Sequence, residues 1–154
     1  MFYNIEQLAR PEVEDIFKKN PVVILPVGAT EQHGPHLPYG TDTFYAEYVA
    51  KRVADRLNAA ILPTMPYGYS YVWEGIPGVI SLKEDTFKAL IKDISYSIQK
   101  YGCKCLVIIT GHEANNRPLK FAIREIHDQI NFRILYFNYP NIIKFSNKII
   151  ESQK

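Results

Sequence analysis

The chain has 154 residues, 47% of them apolar and 22% charged, with a formal net charge of +2. That length supports one domain with one real core, and a near-neutral charge without a basic block gives no pull toward nucleic acid. No stretch approaches the roughly 18 consecutive apolar residues of a membrane span. The start, Met1-Phe2-Tyr3-Asn4-Ile5-Glu6, lacks the positive region and apolar core of a signal peptide, so a cytoplasmic protein without a membrane partner is expected.

In chain order, residues 4–19 read as short helical pieces broken by Pro11. After Pro21, residues 22–27 form an unbroken apolar run, the pattern of a strand covered on both faces. Residues 41–57 read as a helix, with Thr41 or Asp42 suited to the N-cap and an apolar stripe along Tyr45, Val49 and Val53, flanked by Phe44, Tyr48 and Leu57. A short strand over 59–62 leads into a long aromatic loop, 63–77, and a further short strand is expected over 78–81. The clearest helix is 84–100, with Phe87, Leu90, Ile91, Ile94 and Ile98 on one face. A second buried strand follows over 104–109. Then come a helix over 116–129 with Leu119, Ala122, Ile123, Ile126 and Ile130 inward, a strand over 132–137 and a final helix over 142–150. The alternation predicts an α/β fold, a three-layer α/β/α arrangement around a mostly parallel sheet.

Cys103 and Cys105 are the only cysteines. Two apart on a strand they point the same way, which does not suit a mutual disulfide, and both are expected to be buried reduced thiols.

Chemistry concentrates at two strand ends. Val23-Ile24-Leu25-Pro26-Val27 runs into a Gly/Pro-rich loop carrying Glu31, His33, His36 and, at its far end, Asp42. The other strongly apolar strand runs into Thr110-Gly111-His112-Glu113-Ala114-Asn115-Asn116. Open α/β sheets bind their ligands at the carboxyl ends of strands, and mixed carboxylate and imidazole donors suit zinc, manganese or iron. Taken singly, each residue has a plainer reading: Glu31 as a solvated carboxylate, Asp42 as a helix cap, His33 and His36 as turn residues. Their concentration at one sheet edge predicts that Glu31, His33, Asp42 and His112 converge on a divalent metal. No Gly-Lys-Ser/Thr P-loop, dinucleotide Gly-x-Gly-x-x-Gly or Gly-x-Ser-x-Gly elbow is present.

The run Leu25-Pro26-Val27-Gly28-Ala29-Thr30-Glu31-Gln32-His33-Gly34-Pro35-His36-Leu37-Pro38, followed by Thr41-Asp42, resembles the signature of the creatininase (creatinine amidohydrolase) family. Gly111-His112 with Asn115 is similar to that family's second motif, Asn-Gly-His-Gly-Gly-Asn. The resemblance covers about residues 20–140. It implies a single creatininase-like domain over 1–154 corresponding to the N-terminal portion of the family fold. The implied activity is metal-dependent hydrolysis of a C–N bond in a cyclic or linear amide, with a small amide as substrate and up to two ions of zinc, manganese or iron. By the same resemblance Glu31 and His112 hold one metal, His33 the other, and Asp42 bridges both; His36 and Asn115 stand behind the ligands. Full-length relatives commonly form hexamers, which implies a homo-oligomer.

Two departures bear on activity. Creatininase has a glutamate ligand two residues after the histidine of the second motif; here that position is Ala114, and Glu113 comes one residue early. Other members take a glutamate from a later His-x-Gly-x-x-Glu-Thr-Ser segment that this sequence does not contain. Glu113 is therefore the candidate catalytic carboxylate, and Tyr71 and Trp73 of the aromatic loop are candidate substrate-binding residues. The alternative is a truncated, non-catalytic metal-binding domain, or a subunit whose partner chain supplies the missing part.

Overall fold

The computed structural model describes residues 2–138. Five strands form one sheet in the order β1-β3-β2-β4-β5: β1 Tyr3–Asn4, β2 Val22–Val27, β3 Ala60–Ile61, β4 Cys105–Thr110 and β5 Arg133–Phe137. All four pairings are parallel, and β2 and β4 run together over their whole length, Val22 opposite Cys105 to Val27 opposite Thr110. The four helices are α1 Arg10–Lys19, α2 Thr41–Leu57, α3 Glu84–Lys100 and α4 Asn116–His127.

Alternation along β2 and β4 divides the core by face. Val23, Leu25, Leu106 and Ile108 pack with Phe17 of α1, Phe87 and Ile91 of α3 and Leu119 and Ile126 of α4. Ile24, Val107 and Ile109 point to the other face and meet Ala50 and Ala54 of α2. A sheet sandwiched in this way is the three-layer arrangement expected, and the two central strands are apolar throughout because both of their faces are covered.

Three elements differ from the sequence reading. Pro11 does not break a helix; it sits in the first turn of α1, where its missing N–H costs nothing, and Glu12 Oε2 accepts from the Ala9 N–H at 2.8 Å. The N-cap of α2 is Gly40 rather than Thr41 or Asp42; the Thr41 hydroxyl donates to the Pro38 carbonyl at 2.6 Å. The inward line of α2 is Ala46, Ala50 and Ala54, all fully buried, whereas Phe44 and Tyr48 are 60% and 56% exposed. Residues 78–81 form isolated bridges instead of a strand, Thr30 with Ile80 and Gly68 with Ser81. The helix expected over 142–150 lies outside the described residues. Among those described, no helix is long and apolar enough to cross a membrane.

The cysteines are free. The buried Cys103 thiol donates to the Pro21 carbonyl at 3.1 Å, and desolvation pushes its pKa up to about 11. Cys105 is half-buried.

Candidate metal centre

The site forms where β2 and β4 end side by side, and small residues let α2 reach it. A Cβ on Gly111 would collide with the Asp42 carbonyl oxygen, and one on Gly28 would collide with the backbone of Thr43. With only hydrogen at these two positions, and alanines along its inner face, α2 seats its first turn directly on the strand ends. The strand ends are tied as well: the Gly111 N–H donates to the Val27 carbonyl at 2.9 Å, and the Gly28 N–H to the Met65 carbonyl at 2.8 Å. Asp42, in the first turn of α2, is thereby delivered to the loops that carry Glu31, His33 and His112.

Asp42 lies between the two histidines. His33 Nε2 is 2.9 Å from Asp42 Oδ1, and His112 Nδ1 is 2.9 Å from Asp42 Oδ2 and 3.4 Å from Glu31 Oε1. Donor atoms of Glu31, Asp42 and His112 all fall within 4.8 Å of one another, and all three residues are buried. Each histidine turns its other nitrogen to a main-chain carbonyl. His33 Nδ1 is 3.2 Å from the Glu31 oxygen, and His112 Nε2 is 3.0 Å from the Tyr69 oxygen. A carbonyl accepts only from N–H, so in the neutral rings the proton sits at those atoms. The lone pairs, on His33 Nε2 and His112 Nδ1, then face Asp42. Glu31 Oε2 is buried with no hydrogen-bond partner. An orphaned carboxylate oxygen beside a second carboxylate and an imidazole lone pair fits a divalent cation, whose charge would remove the cost of burying these groups.

Without an ion the two imidazoles hold a proton more readily and Asp42 holds one less readily. Burial works against a charged His112, but the Asp42 hydrogen bond and the nearby Glu31 charge outweigh it and raise its pKa above 6.5. For His33 burial is likewise outweighed, by Asp42 and the Glu31 carbonyl, and its pKa is raised. Burial would push Asp42 up, yet hydrogen bonds from His112 and His33 hold it below its ordinary 3.8.

A cavity of about 350 Å³ opens over these residues, walled by Ser70, Val72, Trp73, Glu113 and Ala114. Trp73 thus reaches the site. Tyr71 does not line the cavity; it stacks on Tyr69 with ring centroids 6.2 Å apart and is 62% exposed. Glu113 is exposed at the rim, where Asn138 Nδ2 donates to its Oε2 at 3.1 Å. His36 is exposed and does not line the cavity. Asn115 is fully buried beneath the ends of β2 and β4. Its Oδ1 accepts from the Tyr69 N–H at 2.9 Å, and its Nδ2 donates to the Gly28 carbonyl at 3.1 Å and Thr110 Oγ1 at 3.2 Å. Sequence reasoning missed Ser70, which is 1% exposed with an Oγ lacking any hydrogen-bond partner. Nothing in the run Tyr69-Ser70-Tyr71 distinguishes that hydroxyl from an ordinary loop serine.

A parallel α/β sheet that gathers two imidazoles and two carboxylates at its strand ends has the donor set to hold a divalent cation. Residues 6–152 match the creatininase (creatinine amidohydrolase) family, and the chain belongs to it. It is 31% identical over 134 residues to creatinine amidohydrolase from Pseudomonas putida, a match covering 80% of this chain and 52% of that protein. It is 37% identical over 109 residues to the mycofactocin precursor peptide peptidase of Mycolicibacterium smegmatis, covering 67% of this chain and 44% of the peptidase. The solved structure of a manganese creatininase superimposes with a TM-score of 0.83 at 29% identity, over 98% of this chain and 63% of the other. The chain spans about half the length of the curated relatives it matches.

Proposed function

We propose that this chain is a metal-dependent amidohydrolase that cleaves a C–N bond of a small cyclic or linear amide. The observation that carries the reading is the clustering of donor atoms from Glu31, Asp42 and His112 within 4.8 Å, with His33 on the other oxygen of Asp42. Glu31, Asp42 and His112 would hold a first zinc or manganese ion, and Asp42 with His33 a second. An ion held there supplies a nucleophilic water at neutral pH and polarises the amide carbonyl.

The chain's own groups do the rest. The backbone carbonyls of Glu31 and Tyr69 fix the tautomers of His33 and His112, so that both rings present lone pairs. Ser70 Oγ, buried and unpartnered at the cavity wall, is free to donate to the substrate's carbonyl oxygen. Trp73 and Val72 exclude water from one side. Glu113, a carboxylate lining the cavity, would carry a proton toward the leaving amine.

A second reading, a metal-binding domain without turnover or a subunit completed by a partner chain, is favoured by one observation. Among the described residues the position beside His33 has Asp42 as its only other close ligand. Counting bound ions per chain and assaying the zinc- and manganese-loaded protein on creatinine, aryl formamides and short peptides separates the two. Turnover that Asp42→Asn abolishes supports the enzyme; one firmly bound ion with no turnover of any amide supports the second reading.

A further inference from the structure

A second depression of about 650 Å³ along α4 shares a wall with the cavity over the candidate metal centre; Glu113 and Ala114 line both. Beyond that shared rim the second depression is cationic. Arg117, Lys120 and Arg124 line it, together with the ring of Phe121, which is 53% exposed. Spacings of three and four residues place the three cations on one side of the helix, spread over about 10 Å at 1.5 Å per residue.

Their existing partners are weak. Arg117 is 3.8 Å from Glu84 and Arg124 is 3.3 Å from Asp128, with the arginine side chains 72% and 79% exposed. Ion pairs that exposed contribute little and are readily exchanged for a better anion. Among the described residues Glu113 is the one carboxylate lining the depression, and it is engaged by Asn138. Two guanidinium forks and an ammonium around a planar apolar face suit an organic anion with a flat portion.

We propose that the amide taken by this centre is itself an anion, with its carbonyl over the Glu31, Asp42 and His112 cluster and its phosphate or carboxylate against Arg117, Lys120 and Arg124. The assignment rests on the amidohydrolase reading for the first half only; the anion subsite on α4 stands or falls by itself. Phe121 packs against the flat part of the molecule, and Glu113, at the junction, disfavours an anion placed too close to the reacting carbonyl.

The test is equilibrium binding to the zinc-loaded full chain of two anion–neutral pairs, 5′-AMP with adenosine and hippurate with its neutral amide. The expected result is that at least one anion binds about tenfold or more tightly than its neutral counterpart, as a charge-assisted hydrogen bond allows. Preference for AMP alone marks a phosphate subsite, and preference for hippurate alone a carboxylate subsite. The triple variant Arg117→Glu, Lys120→Glu, Arg124→Glu should lose the preference while keeping its melting temperature and zinc content, because all three residues are exposed. Asp42→Asn should keep the preference after losing zinc, so a failed metal centre and a failed anion subsite give different results. Equal binding of both anions and both neutral partners, or a preference that survives the triple variant, overturns the proposal.

Discussion

Asn115→Ala tests whether the aromatic loop and the metal ligands are held as one unit. Asn115 joins three segments: the end of β2 through the Gly28 carbonyl, the end of β4 through Thr110, and the aromatic loop through the Tyr69 N–H. Truncation leaves the Tyr69 N–H and the Gly28 carbonyl without this partner in a fully buried place, at about 1–3 kcal/mol for each unsatisfied group. Thr110 Oγ1 loses least, because it still donates to the His112 carbonyl and accepts from the His112 N–H. The sum, about 2–6 kcal/mol, corresponds to a fall in Tm of about 5–20 °C for a chain of this size. The same residue would reach a bound metal indirectly. The Tyr69 carbonyl fixes the His112 tautomer, and loss of such support typically lowers metal affinity by about 10- to 100-fold. Thermal melting with zinc titration of the variant checks both effects. Asn115→Asp sharpens the experiment, since it keeps the acceptor for Tyr69 but puts a carboxylate against the Gly28 carbonyl, and it should also be destabilised. A variant that melts within about 1 °C of the parent and binds zinc equally well would refute the idea that Asn115 ties the loop to the ligands.

Asp42 touches both histidines, so Asp42→Asn should cost more zinc affinity than Glu31→Gln or His33→Ala; equal losses in calorimetric titration would remove its bridging role. The metal-free protein should draw stability from this cluster between about pH 4 and 6.5. The raised pKa values of His33 and His112 make their contribution full below the unfolded value of 6.5, and it disappears as pH rises through the folded values. The lowered Asp42 value makes its contribution present above 3.8, and it disappears as pH falls through the folded value. Zinc requires neutral rings, so the zinc-induced rise in Tm should shrink as pH falls, starting above pH 6.5; an equal rise at about pH 5 and pH 8 would exclude histidine ligation. Cys103, with its pKa at about 11, should have about a thousandth of its thiol ionised at pH 8 and react with a disulfide reagent only on unfolding; fast labelling of Cys103 in the native protein would contradict its burial.

What was legible in the sequence was the part governed by long apolar periodicity. β2 and β4 are read from unbroken apolar runs, and α3 from Phe87, Ile91, Ile94 and Ile98, because packing rewards those patterns whatever the surroundings. Leu90 shows the limit: it shares the stripe but is 39% exposed, since the period marks a face wider than the neighbouring element covers. α2 misleads for the opposite reason. The stripe read from Tyr45, Val49 and Val53 is only partly buried and its flanking Phe44 and Tyr48 are exposed, whereas Ala46, Ala50 and Ala54 face the sheet because the helix must come close to the strand ends. A hydrophobicity count favours size, whereas close approach favours its absence. The 78–81 segment failed because two isolated bridges involve the same residue types as a strand.

The clustering of Glu31, His33, Asp42 and His112 was legible because carboxylates and imidazoles at two neighbouring strand ends are brought to one sheet edge by the fold. Their support was not, because it is made of groups every sequence contains. The Tyr69 and Glu31 carbonyls that set the histidine tautomers belong to the backbone, and which carbonyl meets which ring is decided only when the two loops are folded beside each other. Ser70 and the outward His36 make the same point in opposite directions: a serine of no special context lies buried and unpartnered at the cavity wall, and a histidine inside the strongest motif faces solvent. Asp42 explains why the two kinds of information meet. A carboxylate that must sit 2.9 Å from two imidazoles on different loops needs its own helix brought against both strand ends. Gly28, Gly111 and the alanines of α2 are therefore part of the metal centre in a physical sense, although none of them carries a donor atom in its side chain.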